Sequence, residues 1–159
     1  GKMGVVLFFA HYARYTGLTI YDDFAGELLE EICENIPETL PINLETGLCG
    51  IGWGIEYLIQ NGFMEGDSNE ILAEIDQKVM ERDLLRIKDL SLETGLMGIS
   101  CYIRSRLRSN KNMHIFDNRY LYDWKSSVSI ADIVEDNCIL KCIVKINQFR
   151  LVGLNKNVI

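Results

Sequence analysis

An internal repeat constrains the fold of this chain more than any other feature of its sequence. The octapeptide at residues 44–51, Leu-Glu-Thr-Gly-Leu-Cys-Gly-Ile, recurs at residues 92–99 with one substitution, an offset of 48 residues. A related Gly-x-x-Gly-aliphatic segment occupies residues 1–5, and its first glycine lies 46 residues before Gly47. Self-similarity at such a period is typical of stacked supersecondary units. The sequence therefore predicts three copies of one unit.

The residues between these segments predict helices in two layers. Each Gly-x-x-Gly segment leads into a stretch that is apolar on nearly every side, at residues 5–15, 51–59 and 99–107, which is typical of a buried helix. The first two units then continue with apolar residues on one stripe only, Phe24, Leu28 and Ile32 in one and Ile71, Ile75 and Val79 in the other. Such stripes indicate amphipathic helices. We therefore expect an all-α fold, an array of α/α hairpins with an inner and an outer layer.

The repeat weakens after Leu107, which divides the chain into two parts. We expect helical repeats over residues 1–112 and a tail, residues 113–159, that packs on them. Within the tail, residues 118–125 predict a third outer helix, and residues 139–146 fit either a helix or a strand. Three hairpins leave two open ends, and soluble proteins rarely expose large apolar patches. We therefore expect the tail to cover one end, and self-association or a partner protein to cover the other.

Composition argues against several classes of partner. The chain has 23 Asp and Glu against 16 Lys and Arg, a net charge of -7, and no Lys/Arg run longer than two, so nucleic acid is not expected. The longest apolar run, residues 5–10, is far shorter than the roughly 20 residues of a membrane-spanning helix. No basic region with a cleavage site precedes it, so we expect neither a membrane span nor export. Five cysteines in apolar surroundings indicate reduced, buried thiols rather than a disulfide framework. We expect a cytoplasmic protein.

Three residues are candidates for catalysis. Glu45 and Glu93 each stand two residues before the first glycine of their motif, so we expect both at the same end of the array, where paired carboxylates could act as acid and base. The alternative is that each glutamate caps its own helix. His11 is the third candidate, as a general base, and its alternative is a hydrogen-bonded group at the edge of the core.

No cofactor or metal is expected from the residues themselves. The glycine-rich run at residues 47–54 lacks the order of a nucleotide-binding loop, and no strand is predicted before it. Its glycines instead favour a tight start to a closely packed helix. Two histidines and the pair Cys138 and Cys142 do not make a metal-ligand set.

The three Gly-x-x-Gly starts, together with residues 11–14 and 51–57, resemble the lanthionine synthetase C-like family, and the resemblance covers about residues 1–107. It implies an α/α toroid, normally of seven inner and seven outer helices. Cyclase members of that family use zinc to close thioether rings, by adding a cysteine thiol to a dehydrated residue of a peptide. Their zinc ligands lie in Trp-Cys-x-Gly and Cys-His-Gly segments, and this chain has neither.

The resemblance therefore implies a partial α/α toroid of about three inner and outer helix pairs. It implies a bacterial protein associated with peptide modification of the lantibiotic type, which holds a peptide substrate or a modifying enzyme and is not itself a zinc-dependent cyclase. Two alternatives stay open. One is a carbohydrate-active α/α-toroid enzyme that uses Glu45, Glu93 or Glu56, and the other is a non-catalytic helical scaffold.

Overall fold

A computed structural model describes residues 1–109 and 115–130 of the chain. Its helices are α1 (Lys2–Thr16), α2 (Thr19–Glu34), α3 (Leu48–Gln60), α4 (Ser68–Ile71), α5 (Ala73–Met80), α6 (Leu96–Ser109) and α7 (Asn118–Ile130), with a short 3₁₀ helix at Leu84–Arg86. The described residues contain no strand, so the predicted all-α class is confirmed over this part of the chain. Residues 139–146 lie outside the described ranges.

The two octapeptides form matching loops ahead of α3 and α6. The Leu48 N–H donates to the Pro41 carbonyl at 2.8 Å, and the Leu96 N–H donates to the Asp89 carbonyl, 48 residues later, at 2.9 Å. The second loop also holds the Asp89 carboxylate, which accepts from the Thr94 hydroxyl at 2.6 Å. This hydrogen bond, and those from Ser91, lower the pKa of Asp89.

The motif requires glycines because the backbone of the preceding loop approaches them too closely to leave room for a Cβ. In all three Gly-x-x-Gly segments the second glycine donates its N–H to the carbonyl of the first at 3.1 Å. A Cβ at Gly50 would lie 2.0 Å from the Leu44 carbonyl oxygen, and one at Gly98 would lie 2.3 Å from the Leu92 carbonyl oxygen. Each helix therefore begins against the backbone of its own preceding loop.

Helix α3 lies against both α1 and α6. Its own glycines allow this, because a Cβ at Gly52 would lie 2.6 Å from the Tyr102 ring of α6, and one at Gly54 would lie 2.3 Å from Cγ of Met3 in α1. Helix α2 packs on α1, α5 packs on α3, and α7 packs on α6 and the 3₁₀ helix. The core thus runs between α1, α3 and α6 and the helices behind them.

The outer helix of the second unit differs from its prediction. It is divided into α4 and α5 at Leu72, whose φ and ψ are -102° and 4°. Leu72 is fully buried, whereas Ile71, expected in the apolar stripe, is 41% exposed. Asp67 caps the start of α4, because its carboxylate accepts from the Asn69 N–H at 2.9 Å. Because of this break, Leu72 rather than Ile71 is buried in the core.

The described part of the tail packs on the repeats. Phe116 and Tyr120 are buried, and the Tyr120 hydroxyl donates to the Val79 carbonyl at 2.8 Å. The Trp124 Nε1–H donates to Ser100 Oγ of α6 at 3.0 Å. Helix α7 begins where it is predicted and continues to residue 130 rather than 125. The boundary at residue 112 lies outside the described residues and stays a prediction.

The expectation of five buried, reduced thiols is only partly right. Cys49 is a free, buried thiol, and burial raises its pKa. Cys33 is free but exposed, and Cys101 is disulfide-bonded. Cys138 and Cys142 lie outside the described residues. Of the described helices, none has both the length and the apolar character needed to cross a membrane.

Candidate functional site

The structure brings the loops of Glu45 and Glu93 together. The N–H of Glu45 donates to the carbonyl of Glu93 at 3.0 Å, which joins the two octapeptide loops through their backbones. Both residues are exposed. The carboxylates therefore stand on neighbouring surface loops, and neither residue lines the open pocket described below.

His11 lies elsewhere. It is half-buried on α1, ten residues or about 15 Å of helix from Gly1, and the carbonyl of Glu45 is at the Gly1 end. Its Nε2 is 2.9 Å from the Tyr57 hydroxyl, and its ring packs edge-on against Phe63 at 4.6 Å. The three candidate catalytic residues are thus not assembled into one site.

A charged cluster that the sequence reasoning missed lies in the core between α3, α5 and α6. The Arg106 side chain is fully buried, and its Nη1 donates to Glu56 at 2.7 Å. Its Nη2 donates to Asp76 at 2.7 Å, and Asp76 also accepts from the Tyr102 hydroxyl at 2.6 Å. Ser68 receives a further bond from Arg106 at 3.0 Å. Of these residues, only Glu56 is a candidate predicted from the sequence.

The geometry of this cluster favours a role in holding the helices together over a role in catalysis. Burial lowers the pKa of Arg106, but its hydrogen bonds to Asp76 and Glu56 outweigh that effect and the net pKa is raised. Burial and the neighbouring Asp76 charge raise the pKa of Tyr102. No buried side-chain polar atom of the described residues lacks a hydrogen-bond partner. The guanidinium therefore stays charged and fully engaged.

An exposed aromatic surface lies on the opposite side of α1 from the core. We call it the aromatic face. It consists of the exposed Val5, Phe8, Tyr12 and Tyr15 of α1 and Phe24 of α2, together with the half-buried Tyr21 of α2. Its four α1 residues follow a helical spacing of three, four and three, which places them on one side of α1. The prediction that α1 is buried on every side is therefore wrong.

The aromatic face is continuous across the two helices. The Phe8 and Tyr12 rings stack at 5.7 Å, and Tyr12 packs edge-on against Tyr21 at 4.7 Å. Phe24 reaches α1 through Phe9, at a ring distance of 4.8 Å. The tight turn at Gly17, with φ 71°, brings α2 back along α1 and so joins the two sets of rings.

The charges of α2 are acidic. This helix contains no lysine or arginine, and its second half carries exposed carboxylates at Glu27, Glu30, Glu31 and Glu34. One of them, Glu31, pairs with Lys2 of α1. A separate open pocket of about 280 Å³, which shares no residue with the aromatic face, is lined by Arg14, Asp22 and Phe63 among others. Arg14 lies 3.5 Å above the Phe63 ring and donates to the Gly62 carbonyl at 2.8 Å.

Neither metal-binding geometry nor similarity to known proteins assigns a function to this chain. Within residues 1–109 and 115–130, no group of three or more His, Cys, Asp or Glu residues is placed to hold a metal ion. Comparisons with models of protein families, with curated proteins and with solved structures find no match to this chain.

Proposed function

We propose that this chain is a helical binding module that holds a peptide or a partner protein on its aromatic face. The exposure of that face carries the proposal: Phe8 is 46% exposed, Phe24 42% and Tyr15 72%. Adjacent exposed aromatic rings are costly to leave in water, and such patches mark interaction surfaces. The exposed glutamates of α2 favour a ligand that carries positive charge beside its apolar side chains.

The resemblance gives this binding role a context. We propose that α1, α3 and α6 are inner helices of a partial α/α toroid of the lanthionine synthetase C-like type. Support comes from their common Gly-x-x-Gly starts and from the position of α3 against both other helices. In that setting the ligand belongs to peptide modification, and the chain holds a peptide or a modifying enzyme without acting as a cyclase.

A model peptide tests the binding role directly. The probe is a fluorescent helical peptide of about 18 residues, with leucine on one face and lysine on the other. We expect saturable binding by fluorescence anisotropy, weakened about tenfold or more by Phe8→Ser and weakened by salt. The control is Tyr122→Ser, which removes a ring that is 71% exposed on α7. Equal affinity of the wild type and Phe8→Ser would contradict the proposal.

A further inference from the structure

The open pocket beside Arg14 lies where three segments of the chain meet. The last two turns of α1, the start of α2 and the turn that follows α3 line it. Its volume of about 280 Å³ is just below the range of roughly 300–1,000 Å³ that is typical of sites for drug-sized ligands. None of its lining residues belongs to the aromatic face. The pocket is therefore a separate candidate site, and its size suits a small ligand.

Arg14 is held in place at the wall of this pocket. Its Nη2 donates to the Asn61 carbonyl at 3.0 Å and to the Gly62 carbonyl at 2.8 Å. Its guanidinium carbon lies 3.5 Å from the centroid of the Phe63 ring. Within the described residues, Nε and Nη1 of Arg14 make no hydrogen bond. The guanidinium is therefore positioned by the protein and keeps N–H donors for an anionic group.

Asp22 brings the opposite charge to the same pocket but does not pair with Arg14. Among the residues that the structure describes, its carboxylate has no hydrogen bond and no ion pair within 4.0 Å. Thr19, three residues before it on α2, also lines the pocket and has no partner for its hydroxyl in that part of the chain. The Arg14 guanidinium donates instead to the turn after α3. The pocket thus offers a cation and a carboxylate that are each available to a ligand.

Most of the remaining lining is apolar. Ala10 and Ala13 of α1 are buried, Phe63 is half-buried, and Leu18 at the start of α2 is exposed. Because alanine is small, the two alanines leave room between α1 and α2. A few charged groups set in an apolar lining are typical of small-molecule sites. The chemistry of the lining therefore matches a ligand with one carboxylate, one ammonium group and an aliphatic side chain.

We propose that this pocket binds a free α-amino acid with an aliphatic side chain. The ligand's carboxylate accepts hydrogen bonds from Arg14, its ammonium group donates to Asp22, and its side chain lies against Ala13 and Leu18. A simple anion matches the pocket less well because Asp22 repels it, and a simple amine because Arg14 repels it. In a peptide the free amine and carboxylate belong to different residues. The site is therefore independent of the proposed binding at the aromatic face.

The test titrates the full chain with alanine, valine and leucine by isothermal titration calorimetry. We expect saturable binding of at least one of them, with one site per chain. The tightest of the three is then compared with its amide, which lacks the carboxylate, and with the carboxylic acid that lacks its amino group. Each analogue should bind about tenfold more weakly or worse, because it loses one charge-assisted hydrogen bond. These comparisons leave the protein unchanged, so folding does not affect them.

Variants of the protein locate the site. Asp22→Asn should weaken amino-acid binding about tenfold or more, whereas Asp23→Asn, next to it but outside the pocket lining, should leave it unchanged. Arg14→Gln should abolish the preference for the amino acid over its amide. Phe8→Ser should leave amino-acid binding unchanged, which separates this site from the aromatic face. Circular dichroism confirms that each variant keeps its helix content. The proposal is overturned if none of the three amino acids binds saturably, if either analogue binds equally well, or if Asp22→Asn keeps full affinity.

Discussion

Arg106 has two charged partners, Glu56 and Asp76, and its position explains why. It extends from the middle of the core with Glu56 on one side and Asp76 on the other. A buried guanidinium with two carboxylates is tolerated because its N–H groups all donate hydrogen bonds and no buried carboxylate oxygen of the described residues lacks one. The three residues hold α3, α5 and α6 together by bonds that depend on one another.

Replacing Arg106 should therefore be costly. Arg106→Leu leaves Glu56 and Asp76 buried without their cation, and we expect a loss of about 3–5 kcal/mol in the free energy of unfolding, measured from urea denaturation by circular dichroism. The matched control is Arg86→Leu, which breaks a surface pair with Asp83 in which the arginine side chain is 87% exposed; it should change stability by less than about 1 kcal/mol. Equal midpoints for the two variants would show that the buried cluster adds no stability.

The sequence holds a partial signal for this cluster. Glu56 is the one charged residue of the apolar stretch 51–59, and Arg106 is one of two arginines that interrupt the stretch 99–107. Charge in a buried helix requires a partner. The pairing itself cannot be derived locally, because the two residues are 50 positions apart and Asp76 lies in a third helix. The aromatic face was missed for a related reason: an apolar stretch indicates burial, whereas the side of α1 that stays exposed depends on which helices are present.

Among the elements, those that begin at a motif are the best predicted. The starts of α3 and α6 follow from their glycines, which allow the first turn to meet the preceding loop. The division of the second outer helix at Leu72 has no comparable signal, because neither glycine nor proline marks it. The sequence pattern predicts that Ile71 is buried, but in the structure Leu72 packs into the core and Ile71 is exposed. Motif chemistry thus predicts where helices start better than which residues they bury.

The motif glycines offer a prediction at this scale. Gly98→Val would place a branched side chain 2.3 Å from the Leu92 carbonyl oxygen, so we expect a loss on the order of 2 kcal/mol or more. At Gly4 a Cβ would meet nothing within 4 Å, and Gly4→Ala should be neutral or stabilise by up to about 1 kcal/mol. Thermal denaturation of the two variants measures both effects. An unchanged midpoint for Gly98→Val would mean that this loop does not pack against α6 as described.

At the scale of the whole molecule, the two sides of the group formed by α1, α3 and α6 differ in what covers them. On the side of α6, helix α7 covers the core and supplies Tyr120 and Trp124 as hydrogen-bond donors to it. On the side of α1, the aromatic face remains exposed. The expectation that the tail covers one end agrees with residues 115–130, and what covers the other end stays a prediction.

Removal of the tail tests this asymmetry. A chain that ends at Asn112 loses Phe116 and Tyr120, which are 1% and 7% exposed in the full chain. The core surface beneath them becomes exposed, so we expect associated or insoluble protein, with light scattering reporting a mass above that of the monomer. The full-length chain at the same concentration is the control. A soluble, monomeric fragment with unchanged helicity would mean that α7 is not needed to close the core.

The hydrogen bond from Glu45 N–H to the Glu93 carbonyl bears on how such a chain can change over time. Because main-chain atoms make this link, it does not depend on the identity of the Glu45 and Glu93 side chains, whereas the neighbouring Gly98 is needed for the close approach of the two loops. The two loops can therefore differ at Glu45 and Glu93 and keep their alignment. Substitutions at these two exposed positions would change the surface charge around the loops without separating them.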